Sequence, residues 1–213
     1  MKQLKLPYLN ELDFLPIERW REVLMQKGSF GQIDIVNWKE FPYRPETTFN
    51  IAYSHTSLCI SYNVKGLGIK ALYSKDQEPV WQDSCVEFFC KRVDQEGYSN
   101  FEFNCIGTCL SAKHKTRENR VSRTEEEMRK IQRYASVGRN TFDEKDGTFE
   151  WYLIVGIPFE LLEIDGDNLP EKILANFYKC GDGTKIVHYV SWNAIEVEKP
   201  DFHRPDYFGE LYF

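Results

Sequence analysis

From residue 49 onward the chain is written in short alternating segments, and that rhythm constrains its fold more than any other feature. Leu58, Ile60 and Tyr62 alternate with Cys59 and Ser61, the period-two pattern of a strand with one buried face. Strand-like runs follow at 67–73, 85–91, 98–106, 149–157, 173–179 and 186–192. Turn-forming clusters separate them: Lys65-Gly66, Asp94-Gln95-Glu96-Gly97, Asp146-Gly147, Asp165-Gly166-Asp167 and Gly181-Asp182-Gly183. Many short strands with few helical stretches predict an all-β antiparallel sandwich rather than a parallel α/β sheet.

The first 39 residues read as an extended lead-in and one helix packed on the domain, with the sandwich spanning 40–213 as a single unit. Pro16 suits a first helical turn, Ile17, Trp20 and Leu24 share one helical face, and Gly28 is a C-terminal stop. A second helix is expected inside the charged stretch 111–133, where Thr124-Glu125-Glu126-Glu127 has the form of a capping box. Lys113, Lys115, Arg117, Arg120 and Arg123 make that stretch basic. It reads either as a loop for an acidic ligand or as a solvated excursion between strands.

Composition sets the class of partner. Lys and Arg total 27 against 33 Asp and Glu, a formal net charge of −6, which disfavours nucleic acid and anionic membrane surfaces. No apolar run approaches the roughly 20 residues needed to span a bilayer. No signal-peptide core follows Met1, and the six cysteines show neither a paired zinc spacing nor a disulfide framework. Cys105 and Cys109, four apart, are the only metal-like spacing. A reducing cytoplasm is the expected compartment.

Two segments carry chemistry. In Val80–Cys90, a strand from Cys85 points Val86, Phe88 and Cys90 to one face and Cys85, Glu87 and Phe89 to the other. In Tyr98–Cys105, Phe101, Phe103 and Cys105 form one stripe, and Glu102 and Asn104 the other. A hairpin of these strands places Glu87, Glu102 and Asn104 on one sheet face, edged by Trp81 and Tyr98. Aromatic planes beside carboxylates and amides suit sugars, whose C–H faces stack and whose hydroxyls pair with such groups. An ordinary solvent-facing sheet surface has the same periodicity. At the C-terminus, Pro200 and Pro205 frame a stiff loop expected to hold Phe202, His203 and Arg204 outward, ahead of a closing strand with Phe208, Leu211 and Phe213. Trp151, Trp192 and His188 read as packing residues.

Trp81 leading into Asp83-Ser84-Cys85-Val86-Glu87-Phe88-Phe89 resembles the signature of family 9 carbohydrate-binding modules. So do Asn100-Phe101-Glu102-Phe103-Asn104-Cys105-Ile106-Gly107, Pro200-Asp201-Phe202-His203-Arg204-Pro205 and the Phe208-Gly209-Glu210-Leu211 ending, in the same order. The likeness covers about residues 40–213 and is nearest to short single-domain members from Bacteroidetes. It implies a DOMON-like sandwich with no catalytic machinery, binding the end of an oligosaccharide or polysaccharide in glycan catabolism. In such modules two tryptophans clamp a terminal sugar, and a strand Glu, an Arg and an Asn take its hydroxyls. Trp81, Glu87 and Asn104 match the first Trp, the Glu and the Asn. Phe202 stands at the second Trp position, Glu102 at the Arg position and Tyr178 where a Gln is expected. No cofactor is implied beyond the structural calcium of some relatives, for which Asp165-Gly166-Asp167-Asn168 is the nearest candidate and reads as a turn.

Other functions remain to be weighed. Glu87 and Glu102 on adjacent strands could serve a small xylanase-like glycoside hydrolase. DOMON-like sandwiches can also hold haem, but Met1, Met25 and Met128 lie on no predicted strand beside a histidine. Exposed aromatics could instead meet a protein partner.

Overall fold

The computed structural model describes all 213 residues. Two sheets face each other. In chain order the strands are β1 (Gln3–Lys5), β2 (Ser29–Gln32), β3 (Ile35–Val36), β4 (Glu46–Tyr53), β5 (Ser57–Ala71), β6 (Cys85–Arg92) and β7 (Tyr98–Asn104). They continue with β8 (Cys109–His114), β9 (Arg120–Ser122), β10 (Gln132–Ala135), β11 (Phe142–Pro158), β12 (Lys172–Cys180), β13 (Tyr189–Ser191) and β14 (Gly209–Tyr212). One sheet runs β1-β14-β12-β6-β7-β8-β9, with β13 and β3 paired off β12; the other runs β10-β11-β5-β4-β2. Apart from the parallel β1–β14 pair and an isolated parallel bridge, the pairing is antiparallel.

The alternation seen in the sequence places the core. Val86, Phe88, Phe101, Phe103, Ala175 and Phe177 from one sheet meet Phe49, Ile51, Ile60, Tyr62, Leu153 and Val155 from the other, all at most 0% exposed. Phe49 and Phe177 stack across the sheets at 3.9 Å, and Phe177 touches Phe88 at 5.1 Å. Truncating Phe177 to Ala would remove the ring that joins both layers, at about 3–5 kcal/mol. Trp151 and Trp192 belong to this core, as expected.

The outer faces are covered too. On the β4-β5-β11 side, α1 (Trp20–Lys27) presses Trp20 and Leu24 onto Ala52, Cys59 and Ile154. It follows a 3-10 turn at Ile17–Arg19 capped by Pro16. Gly28 ends it with its N–H on the Leu24 carbonyl, where a Cβ would lie 2.6 Å from that oxygen. On the β6-β7-β12 side, Trp38, Ile195 and Phe208 pack over Phe89, Tyr98 and Tyr178. The anticipated capping box opens α2 (Glu125–Lys130), with Thr124 and Glu127 bonding each other's backbone N–H.

Four expectations are corrected. Lys65-Gly66 is no turn: β5 runs through it, pairing Lys65 with Glu150 and Gly66 with Phe149. Gly66 is there because Tyr43 and Pro45 approach, leaving 2.6–2.7 Å for a Cβ. Asp146-Gly147 likewise sits inside β11, where the register shifts between Lys145 and Thr148 and Gly147 takes φ +130°, as at a bulge. The strand predicted at 186–192 shrinks to β13, because Thr184 closes on the Gly181 and Ile186 carbonyls and His188 bonds back to Ile186. Residues 1–39 contribute more than a lead-in and helix: β1, β2 and β3 extend both sheets.

Candidate carbohydrate-binding site

The register of the central hairpin builds the site. Glu87 lies directly opposite Glu102, Cys85 opposite Asn104 and Phe89 opposite Asn100, so these side chains share the outer face of β6 and β7. On the other flank Cys180 faces Cys85 and Tyr178 faces Glu87. Above this floor lies a cavity of about 280 Å³, lined by Trp81, Glu87, Phe89, Glu102, Arg117, Arg120, Cys180, Asp182, Tyr189 and the 200–203 segment.

Trp81 comes from a short turn, Val80–Gln82, that packs on Cys85, Leu110 and Cys180. Its carbonyl accepts the Asp182 N–H at 3.0 Å. Asp83, just after it, is buried and accepts from the Leu72 and Tyr73 N–H groups and from Asn104 Nδ2 at 3.0–3.1 Å. That knot fixes where the Trp81 turn leaves the sheet.

Phe202 and His203 point inward, contrary to the outward loop expected between the prolines. Phe202 lies flat on Tyr178, centroids 4.1 Å apart and planes at 6°, and Tyr178 Oη donates to its carbonyl. His203 N–H donates to Asp201, and its Nδ1 meets the Tyr98 hydroxyl at 2.9 Å. Burial, with His114 alongside, lowers the His203 pKa to about 3, so the ring stays neutral. Arg204 turns away from the cavity onto Asp206 and the Tyr207 ring.

The floor holds carboxyls without a basic partner. Glu87 Oε1 accepts the Cys180 thiol at 3.0 Å, and Glu102 accepts Asn100 Nδ2 at 2.7 Å. Burial, and then the facing Glu102, push Glu87 well above the usual carboxylate range. Burial raises Glu102 to about 7 against the opposing Asn100 amide bond. Burial likewise lifts Asp182 to about 6 although the Tyr189 hydroxyl bonds it. The floor therefore holds protons that can be donated, as well as oxygens that accept.

Of the residues singled out from sequence, Trp81, Glu87, Glu102, Phe202 and His203 converge on the cavity, and Tyr178 supports it from beneath Phe202. Asn104 and Arg204 do not reach it. Asn104 is buried and fully engaged with Tyr73, Asp83 and the Thr108 N–H. Sequence reasoning missed Asp182, Asp201 and Tyr189 as lining residues; they come from two loops and from β13, the strand between β12 and β3. The basic stretch divides: Arg117 and Arg120 line the cavity, Arg117 paired with Asp201 at 3.2 Å. Arg123 is buried on Ser99 and the Leu161 carbonyl, and Lys113 pairs with Glu163. His188 is structural, held between Lys179 Nζ and the Ile186 carbonyl. All six cysteines are free and buried, Cys105 donating to the Lys70 carbonyl. The Asp165–Asn168 segment is a turn in which Asp165 accepts the Asp167 N–H. A separate hollow of about 340 Å³ beside β7 and β8 is lined largely by polar and charged groups, with Tyr98 its one phenol or phenyl ring.

Comparison with known proteins places this arrangement. A protein of Bacteroides uniformis, described as an inferred carbohydrate-binding protein, superposes with a TM-score of 0.93 at 33% identity, covering 100% of this chain and 99% of the other. A family 9 carbohydrate-binding module of Caldicellulosiruptor kristjanssonii, solved with glucose, shares the fold at a TM-score of 0.56 and 10% identity, over 99% and 95% of the chains. A search of curated proteins found no match. The model of carbohydrate-binding family 9 matches residues 19–213, and with the sandwich and its aromatic, carboxyl-floored cavity in view, the chain belongs to that family.

Proposed function

We propose that the cavity over β6 and β7 receives one terminal sugar unit of an oligosaccharide, with Trp81 and Phe202 as its aromatic walls. The observation that carries this is their convergence over Glu87 and Glu102, within about 280 Å³. That volume lies near the lower end of small-ligand pockets, roughly 300–1,000 Å³, and suits one or two rings rather than a buried chain. Phe202 offers less area than a tryptophan, but Tyr178 behind it makes a rigid double layer.

In this reading Glu87 and Glu102 take sugar hydroxyls, donating where protonated and accepting where not, and Arg117 and Arg120 supply charged donors at the rim. Glu87 and Glu102 face each other on adjacent strands, the kind of carboxyl pair that a retaining glycosidase holds about 5 Å apart. Such a pair needs one ionised nucleophile, whereas burial raises both groups here. That favours binding over bond cleavage, in line with the family.

Calorimetric titration with glucose and with cello- and xylo-oligosaccharides, each also in borohydride-reduced form, tests the assignment. Saturable binding that Trp81→Ala abolishes supports it, and loss on reduction identifies the reducing end as the part recognised. Binding unchanged in Trp81→Ala, or none with any sugar from folded protein, overturns it.

A further inference from the structure

The cavity floor carries a second donor set that sugar binding leaves unexplained. Cys85 and Cys180 face each other directly across β6 and β12, and Glu87 follows Cys85 by two residues on the same face. The Cys180 sulfur lies 3.0 Å and the Cys85 sulfur 3.9 Å from Glu87 Oε1, and the three donor atoms lie within 4.8 Å of one another. All three residues are buried. Tetrahedral zinc, with Zn–S of about 2.3 Å and Zn–O of about 2.0 Å, sets its donors about 3.5–3.8 Å apart. Closing the cluster onto an ion therefore needs shifts of about 1 Å or less, within the reach of side-chain torsions.

We propose that Cys85, Cys180 and Glu87 form a binding site for a thiophilic divalent cation of the zinc class, at the floor of the cavity. Two thiols and a carboxyl select such an ion over calcium or magnesium, which take oxygen donors. Glu87 and Cys180 also line the cavity, so the ion can enter from there and its fourth position faces the opening. Val80 and Leu110 close the other side with apolar surface, which shields the bonds from water. Binding releases the thiol protons to the buffer. With two thiolates and a carboxylate the occupied site carries one net negative charge; the buried Lys179, one residue earlier on β12, points to the opposite face of the sheet and bonds the Cys180 carbonyl and His188. The proposal shares Glu87 with the sugar reading, but Cys85 and Cys180 have no part in that reading and Trp81 supplies no metal donor, so the two can fail separately.

The test uses full-length protein, chelator-stripped and kept reduced so that the facing cysteines cannot join as a disulfide. Titration with Co²⁺ is expected to give tetrahedral visible bands and a thiolate charge-transfer band saturating at one ion per chain, both displaced by Zn²⁺. Cys85→Ala and Cys180→Ser should each cut the charge-transfer intensity per bound ion to about half and weaken binding at least tenfold, whereas Trp81→Ala should keep both. In wild-type protein, needing no variant to fold, Zn²⁺ should slow alkylation of Cys180 at least tenfold by mass spectrometry. Absence of the bands, full binding in Cys180→Ser, or alkylation indifferent to Zn²⁺ overturns the proposal. Co²⁺ binding by wild-type protein that binds no sugar would count against the sugar reading alone.

Discussion

Replacing Asp83 with Asn removes one charge and almost no volume, yet it strikes the joint between the sandwich and the Trp81 turn. Both carboxylate oxygens accept the Leu72 N–H at 3.0 Å, and Oδ2 also accepts the Tyr73 N–H at 3.1 Å and Asn104 Nδ2 at 3.0 Å. An amide can keep its oxygen at the Oδ2 position, but its NH₂ then meets the Leu72 N–H. Turned the other way, it meets three donors. Even in the better orientation one charge-assisted bond is lost and the others are weakened, with a buried donor left facing another. At about 1.5–3 kcal/mol for each such bond, the expected cost is about 3 kcal/mol. With an unfolding entropy of about 2.1 cal/mol/K per residue, this 213-residue chain should melt about 7 °C lower. Calorimetric melting and urea unfolding of Asp83→Asn beside wild type measure this, and sugar titration should show weaker binding because the Trp81 turn loses its anchor. A melting temperature within 1–2 °C of wild type, by the same size argument, would refute the view that Asp83 holds the joint.

Asn104→Ala, which unties the same knot from the strand side, should lower stability by roughly 2–3 kcal/mol, seen in urea unfolding, while leaving any sugar contact to the cavity groups. Trp81→Ala should weaken carbohydrate binding at least tenfold, about 1.4 kcal/mol, with little change in melting temperature. Glu102 keeps its proton to about pH 7 when folded, but to about 4.5 when unfolded. The folded state thus binds more protons across that window, and stability present below pH 4.5 is lost as pH rises through 7, by roughly 3 kcal/mol. Urea midpoints measured from pH 5 to 7.5 should fall more steeply for wild type than for Glu102→Gln; equal slopes would exclude this coupling. Gly209→Ala should cost about 1–3 kcal/mol and 2–7 °C in a thermal melt, since its Cβ would sit 2.5 Å from the Trp192 ring and 2.7 Å from the Lys2 carbonyl.

The alternation of Val86, Phe88 and Cys90 with Glu87 and Phe89 correctly assigned faces, because period two is a property of the strand itself. Periodicity could not tell what covers the second face. Glu87 and Glu102 read equally well as solvent-facing carboxylates, and they are buried because Trp81, Arg117, Arg120 and Phe202, far apart in the chain, wall the cavity above them. The same limit explains Asn104. Its place in the family's pattern is preserved, but its partners are Asp83, Tyr73 and Thr108, which only the fold brings together. A motif position thus records that an amide is required there, not whether the requirement comes from a ligand or from a backbone. Glu102 is the converse case. The resemblance implies an arginine at this position; with Glu102 there, the cavity floor holds two facing carboxyls. Since neither has a cation in hydrogen-bond contact, what this family member recognises depends on which ligand group supplies the missing positive charge or hydrogen bond there.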